Sequence, residues 1–205
     1  MIKNRRKLLG FLIKYTSLLI AVGVFIGLFH ESDGWVALGL AVGLFIILYR
    51  KRNLPPGERR VYYLGVGLSA VLGSLCEFWG TSNLYWQYHD LSGARNFPFW
   101  LPLAWGSAFA YLYTIERNII ALTSFEGLPS KIVITLLVSA VFPTLGEIVT
   151  IQLGVWTYNW GYQLLGVPAL AIFLLMVFHT GIFLLLRQVC IKKGINSPVF
   201  YSASK

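Results

Sequence analysis

The sequence predicts an all-α fold: a polytopic membrane helical bundle of six transmembrane helices. Three observations carry this. Of 205 residues, 57% are hydrophobic and 12% charged, against about 25% charged in a soluble domain. Six apolar runs follow one another, each near the ~20 residues that cross a hydrocarbon core. Lys and Arg concentrate on alternate connections, the pattern that orients membrane proteins. Runs this long are unlike the roughly ten-residue alternating strands of a membrane barrel.

The first run, 8–29, follows Lys3, Arg5, Arg6 and Lys7. It imitates a signal peptide, but its length and the lack of a prompt small-residue cleavage site make it an uncleaved span. Lys14 lies early enough in it to snorkel. The second run, 35–49, is short. The third, 61–79, follows Arg50, Lys51, Arg52, Arg59 and Arg60, grouped around Pro55, Pro56 and Gly57. The remaining runs are 97–115, 132–153 and 167–186. Residues 81–96 hold one basic residue, Arg95, and 154–166 hold no charge. Glu116 and Arg117 read as a surface anchor at the cytoplasmic end of span four. The chain is thus a single membrane domain, 1–205, placed in a bacterial inner membrane with both termini cytoplasmic. Its tail, 196–205, reads as mobile. The net charge of +9 sits beside apolar runs, so it orients the chain and does not imply nucleic acid. Cys76 and Cys190 fall on opposite sides and should not pair.

An ungapped shift of 70 residues superimposes Ser69-Ala70-Val71 on Ser139-Ala140-Val141. It also superimposes Leu75 on Leu145, Glu77 on Glu147, Trp86 on Trp156, Tyr88 on Tyr158, Pro98 on Pro168 and Arg117 on Arg187. Glu, Trp, Tyr, Pro and Arg are uncommon enough here for one shared register to indicate a duplication. The unit is helix, outer loop, helix, covering 61–120 and 131–190 (spans three–four and five–six). Both copies start on one side, so the repeat is parallel. Residues 1–60 supply two further helices that pack against the pair.

Glu77 and Glu147 are the acids deepest in apolar runs, at 17 residues beyond Arg60 and 16 beyond Lys131. That is roughly 25 Å along a helix, in the outer third of the bilayer. Gly73, Ser69 and Gly65 share the face of Glu77. Pro143, Ser139 and Thr135 share that of Glu147. Such small and hydroxyl residues favour helix contacts or a cavity over lipid. The two carboxyls are therefore candidate catalytic groups, able to hold or donate a proton; a purely structural interface role is the alternative.

Trp86, Tyr88, Trp156 and Tyr158 follow the glutamates in register, with Tyr85 and Trp160 beside them. Their alternatives are an interfacial belt and a substrate lid whose ring faces stabilise a cation. Trp100, Trp105 and the mid-span His179 complete the candidate substrate-binding set; His179 reads equally as a packing histidine or a proton relay. His89 and Asp90 read as ordinary solvated residues. Three scattered histidines and two distant cysteines supply no di-iron or zinc site. No nucleotide or hydrolase motif occurs. No metal or cofactor is expected.

The segment Glu147, Trp156, Tyr158, Gly166-Val167-Pro168 resembles the membrane carotenoid-modifying group, the small lycopene cyclases and carotenoid hydratase-like proteins. The first copy, Glu77, Trp86, Tyr88 and Pro98, fits more loosely. The resemblance covers spans three to six. It implies six or seven helices and acid-triggered chemistry on a long polyene. The paired glutamates that follow the proline in lycopene cyclases are replaced by Ala169-Leu170 and Phe99-Trp100. The resemblance therefore points to a hydratase, another isoprenoid cyclase or a non-catalytic relative. The expected partner is a membrane lipid or polyene; a homo-oligomer or a membrane complex stays open. Competing classes are a pigment- or lipid-binding subunit and a small proton-coupled transporter.

Overall fold

The computed structural model describes residues 5–91, 95–123, 125 and 127–202. Lys3 of the basic N-terminal cluster and 203–205 of the tail lie outside them. Six α-helices run in order: α1 (Arg5–Phe29), α2 (Asp33–Arg50), α3 (Pro56–Ser82), α4 (Leu101–Leu122), α5 (Leu128–Gln152) and α6 (Ala169–Lys193). Pro stands in the first turn of α3, α4 and α5, where its missing N–H costs no hydrogen bond. Gly194, at φ 60°, caps α6 in the left-handed conformation.

Five helices are long and apolar enough to cross a membrane; α4 is not among them. Its place explains its composition. It touches α1, α2, α3 and α5 and buries Phe109, Leu112, Tyr113, Thr114 and Glu116. A helix solvated by other helices has no need of a lipid-like surface and can carry polar side chains. By contrast, Leu9, Phe45, Val71, Leu137 and Phe173 on the other five turn outward. α1 packs on α5 and α2 on α4, flanking the contacts between α3 and α4 and between α5 and α6.

One end of the bundle carries Lys51, Arg52, Arg59, Arg117, Lys192 and Lys193; the other carries the aromatic connections. At the aromatic end two strands, β1 (Trp86–Tyr88) and β2 (Trp156–Tyr158), pair antiparallel as Trp86↔Tyr158, Gln87↔Thr157 and Tyr88↔Trp156. A second ribbon, β3 (Gln163–Leu164) with β4 (Val167–Pro168), leads into α6. No strand was expected from the apolar runs, yet Trp-Gln-Tyr and Trp-Thr-Tyr already alternate with the period of a half-buried strand.

Backbone geometry recurs at the 70-residue shift. α3 and α5 end at Ser82 and Gln152. Leu84 and Gly154 then take positive φ, 57° and 80°. The Tyr85 N–H donates to Gly80 O, as Val155 does to Thr150 O. His89 N–H donates to Val155 O, and Asn159 N–H donates to Tyr85 O. The two connections thus exchange equivalent bonds.

The mobile tail is a correction. Val199 and Phe200 are buried, and the Phe200 ring meets Tyr113 and Phe183. Ser197 and Tyr201 exchange backbone hydrogen bonds of 2.7 and 2.9 Å. The polar composition of 196–202 concealed one apolar pair, which closes the basic end of the core. Phe200→Ala should therefore cost about 3 kcal/mol, the usual loss for a buried Phe, seen as a lower melting temperature in detergent; an unchanged melt would mean the tail is only resting on the bundle.

Candidate functional site

Glu77, five residues before the end of α3, is buried and receives three hydrogen bonds. Trp86 Nε1 and Tyr88 Oη donate to Oε2 at 2.8 and 3.0 Å, and Trp105 Nε1 donates to Oε1 at 3.1 Å. Glu147, at the equivalent place on α5, receives one, from Tyr158 Oη to Oε2 at 3.1 Å. Among the described residues its Oε1 takes none. Burial, followed by the charge of Glu77, holds the Tyr88 phenol well above its ordinary range; burial and Glu147 do the same for Tyr158. Both phenols therefore remain hydrogen-bond donors at neutral pH.

The unequal hydrogen bonding of the two glutamates has a sequence cause. Trp105 lies against Gly73 and Trp86 against Gly80; a Cβ on either glycine would overlap the indole. The equivalents on α5 are Pro143 and Thr150, and that of Trp105 is Leu175. The second copy therefore lacks both the seats and one of the donors. Trp156 instead meets Tyr88 across the ribbon, with ring centroids 5.5 Å apart. Exchanging a helical glycine for alanine ordinarily gains up to about 1 kcal/mol. Gly73→Ala should instead lose roughly 1–3 kcal/mol by overpacking and shift the tryptophan emission as the Trp105 indole leaves Glu77. An unshifted spectrum with a raised melting temperature would contradict this seating.

Two adjoining cavities of about 190 and 290 Å³ flank the carboxyls and share Glu77, Trp86, Trp105, Glu147, Tyr158 and Leu175 as walls. The first continues past Tyr88, Trp100 and Trp156 to Gly23 and Ile26 of α1. The second runs past Trp160 to Leu174 and Val177, between α3 and α6, where both side chains are outward-facing. Among the described residues, no Lys or Arg lines either cavity. Eight of the nine sequence-expected site residues thus meet in one place.

His179 is the exception and is corrected here. It lies deeper, and its Nε2 is 2.9 Å from Glu116 Oε1, both side chains buried. Glu116 is consequently no surface anchor, and neither is Arg117, whose Nε donates to buried Glu58 at 3.1 Å. Tyr113 Oη donates to the same Glu58 oxygen at 2.6 Å. Sequence reasoning missed Glu58 because it falls among Arg59 and Arg60, where a solvated reading is natural. At the aromatic end His89 contacts Thr157 Oγ1, Asp90 pairs with His30 at 3.2 Å, and Arg95 pairs with Asp33 at 2.7 Å. The last two contacts tie the α1–α2 corner to the connection after β1. Cys76 and Cys190 are both free thiols, one exposed and one buried.

No family model, curated protein or solved structure matches the chain.

Proposed function

We propose that this chain is a bacterial inner-membrane protein that protonates an alkene of a long isoprenoid-like lipid. One observation carries the reading: Glu77 and Glu147 line a common aromatic cavity that has apolar walls and, among the described residues, no basic one. The duplication is part of the proposal, supported by hydrogen bonds and strand positions that recur at the same shift. So is the crossing of all six helices with both termini cytoplasmic, supported by the basic and aromatic ends.

The two carboxyls divide the work by their partners. Glu147, with one oxygen unengaged, delivers its proton to an alkene carbon. The O–H bond breaks, the π pair forms a C–H bond, and a carbocation remains on the neighbouring carbon. Glu77, held as an acceptor by three donors, and the ring faces of Trp86 and Trp156 stabilise that cation. Loss of a proton to the Glu147 carboxylate completes a cyclisation or isomerisation, whereas capture of a water, followed by loss of its extra proton to the same carboxylate, completes a hydration. Apolar walls prevent early quenching.

The test is mass spectrometry of lipids that co-purify in mild detergent, followed by incubation in D₂O. The expected result is an enriched isoprenoid lipid that gains deuterium on carbon. Enrichment without deuterium would support a non-catalytic binding subunit, and no enrichment would overturn the substrate class. The topology has its own check in a Cys76→Ser background. Externally added maleimide should label Glu31→Cys and Gln163→Cys in intact cells and spare Asn53→Cys; labelling of position 53 would reverse the orientation.

A further inference from the structure

We propose that Glu116 and His179 form a proton route joining the carboxyl pair to the basic end of the bundle. The route rests on the acid reading of Glu147. Measured from the aromatic end of each helix at 1.5 Å per residue, the glutamates lie at roughly 8 Å, His179 at roughly 15 Å, Ser69 at roughly 20 Å and Glu116 at roughly 22 Å. These polar groups thus descend in steps through the interior.

Three features connect them. First, a third cavity, of about 40 Å³, lies beneath the two described above and is lined by both Ser69 and His179. That volume holds a water, which needs only about 10–15 Å³ of such space and two or more polar partners. Second, the buried Ser69 hydroxyl has no hydrogen-bond partner in the protein, so a water there satisfies a group that is otherwise costly to bury. Third, Trp105, Ala108, Pro143 and Leu175 line both this cavity and the one holding the carboxyls. Trp105 is also a donor to Glu77.

At the lower end, His179 Nε2 contacts Glu116 Oε1, leaving Nδ1 to exchange a proton with cavity water. Arg117, the next residue, is partly exposed and pairs with Glu58 at the basic end, so Glu116, itself buried, lies in the part of α4 that adjoins that end. A buried imidazole–carboxylate pair of this kind can pass a proton because imidazole accepts one at a nitrogen and releases one at the other, the carboxylate offsetting the positive charge while the proton is held. Glu116 and His179 are thereby positioning residues for proton supply and do not touch the lipid.

The experiment follows hydrogen–deuterium exchange of the carboxylic C=O band by attenuated-total-reflection infrared spectroscopy, with protein in bilayers. Glu147→Gln identifies the band. His179→Gln, Glu116→Gln and the milder Ser69→Ala should slow its exchange about tenfold or more, the scale of losing a positioned proton-transfer group, while Glu116→Asp restores the rate. Circular dichroism and a thermal melt of each variant separate slowed exchange from a damaged fold, and Ser69→Ala keeps the question open to test if the ion-pair variants fail to fold. Unchanged exchange in folded variants overturns the route and leaves the acid reading standing. Absence of any band that Glu147→Gln removes overturns both.

Discussion

Glu147→Gln should abolish turnover of the co-purifying lipid, by roughly the 10²–10⁴-fold that a positioned acid contributes, with binding of that lipid retained. The amide keeps the size of the side chain and accepts the Tyr158 hydrogen bond but has no transferable proton. Glu77→Gln should behave differently. Three donors converge on this carboxylate, and a Gln amide nitrogen must face one of them donor to donor. That variant should lose thermal stability as well as turnover. The paired measurement is deuterium incorporation and melting temperature in the same preparations. Equal, full turnover in both variants would sink the acid mechanism. Equal loss of fold in both would make the carboxyls structural.

This inequality between two equivalent glutamates was open to reading before any coordinates, because it follows from Gly73 and Gly80 against Pro143 and Thr150. The sequence pattern also located the helices, the aromatic loops and the two carboxyls, since membrane spans announce themselves by local composition and an acid inside one is conspicuous. The depth of α4 was not legible. Its apolar run resembles the others, and only packing by elements distant in sequence, α3 above all with the tail and α6, turns Tyr113 and Glu116 into interior residues. The Glu116–His179 pair joins positions 63 residues apart, and no periodicity within a single helix encodes such a partnership. Phe200 illustrates the same limit at the tail: an aromatic in a polar stretch becomes core because Tyr113 and Phe183 leave it a site.

Glu58 presents the clearest stability expectation. Its side chain is 3% exposed, while its partner Arg117 is 36% exposed, so the acid bears the desolvation cost and the arginine remains in touch with water. Removing the carboxylate by Glu58→Ala leaves the buried Tyr113 hydroxyl without its 2.6 Å acceptor and opens a gap between α3 and α4. The loss should be about 3–5 kcal/mol, the usual result of breaking a buried pair from one side. Arg117→Ala should do comparable harm by stranding the Glu58 charge. The double variant Glu58→Ala with Arg117→Ala should lose less than the sum of the two, because neither residue then leaves an uncompensated charge. Melting temperatures of the four proteins in one detergent close the cycle. Additive losses would show that the two side chains act independently. A loss smaller than the sum would instead locate the fastening of α3 to α4 at the basic end, far enough from the aromatic cavity that lipid binding should survive in all four.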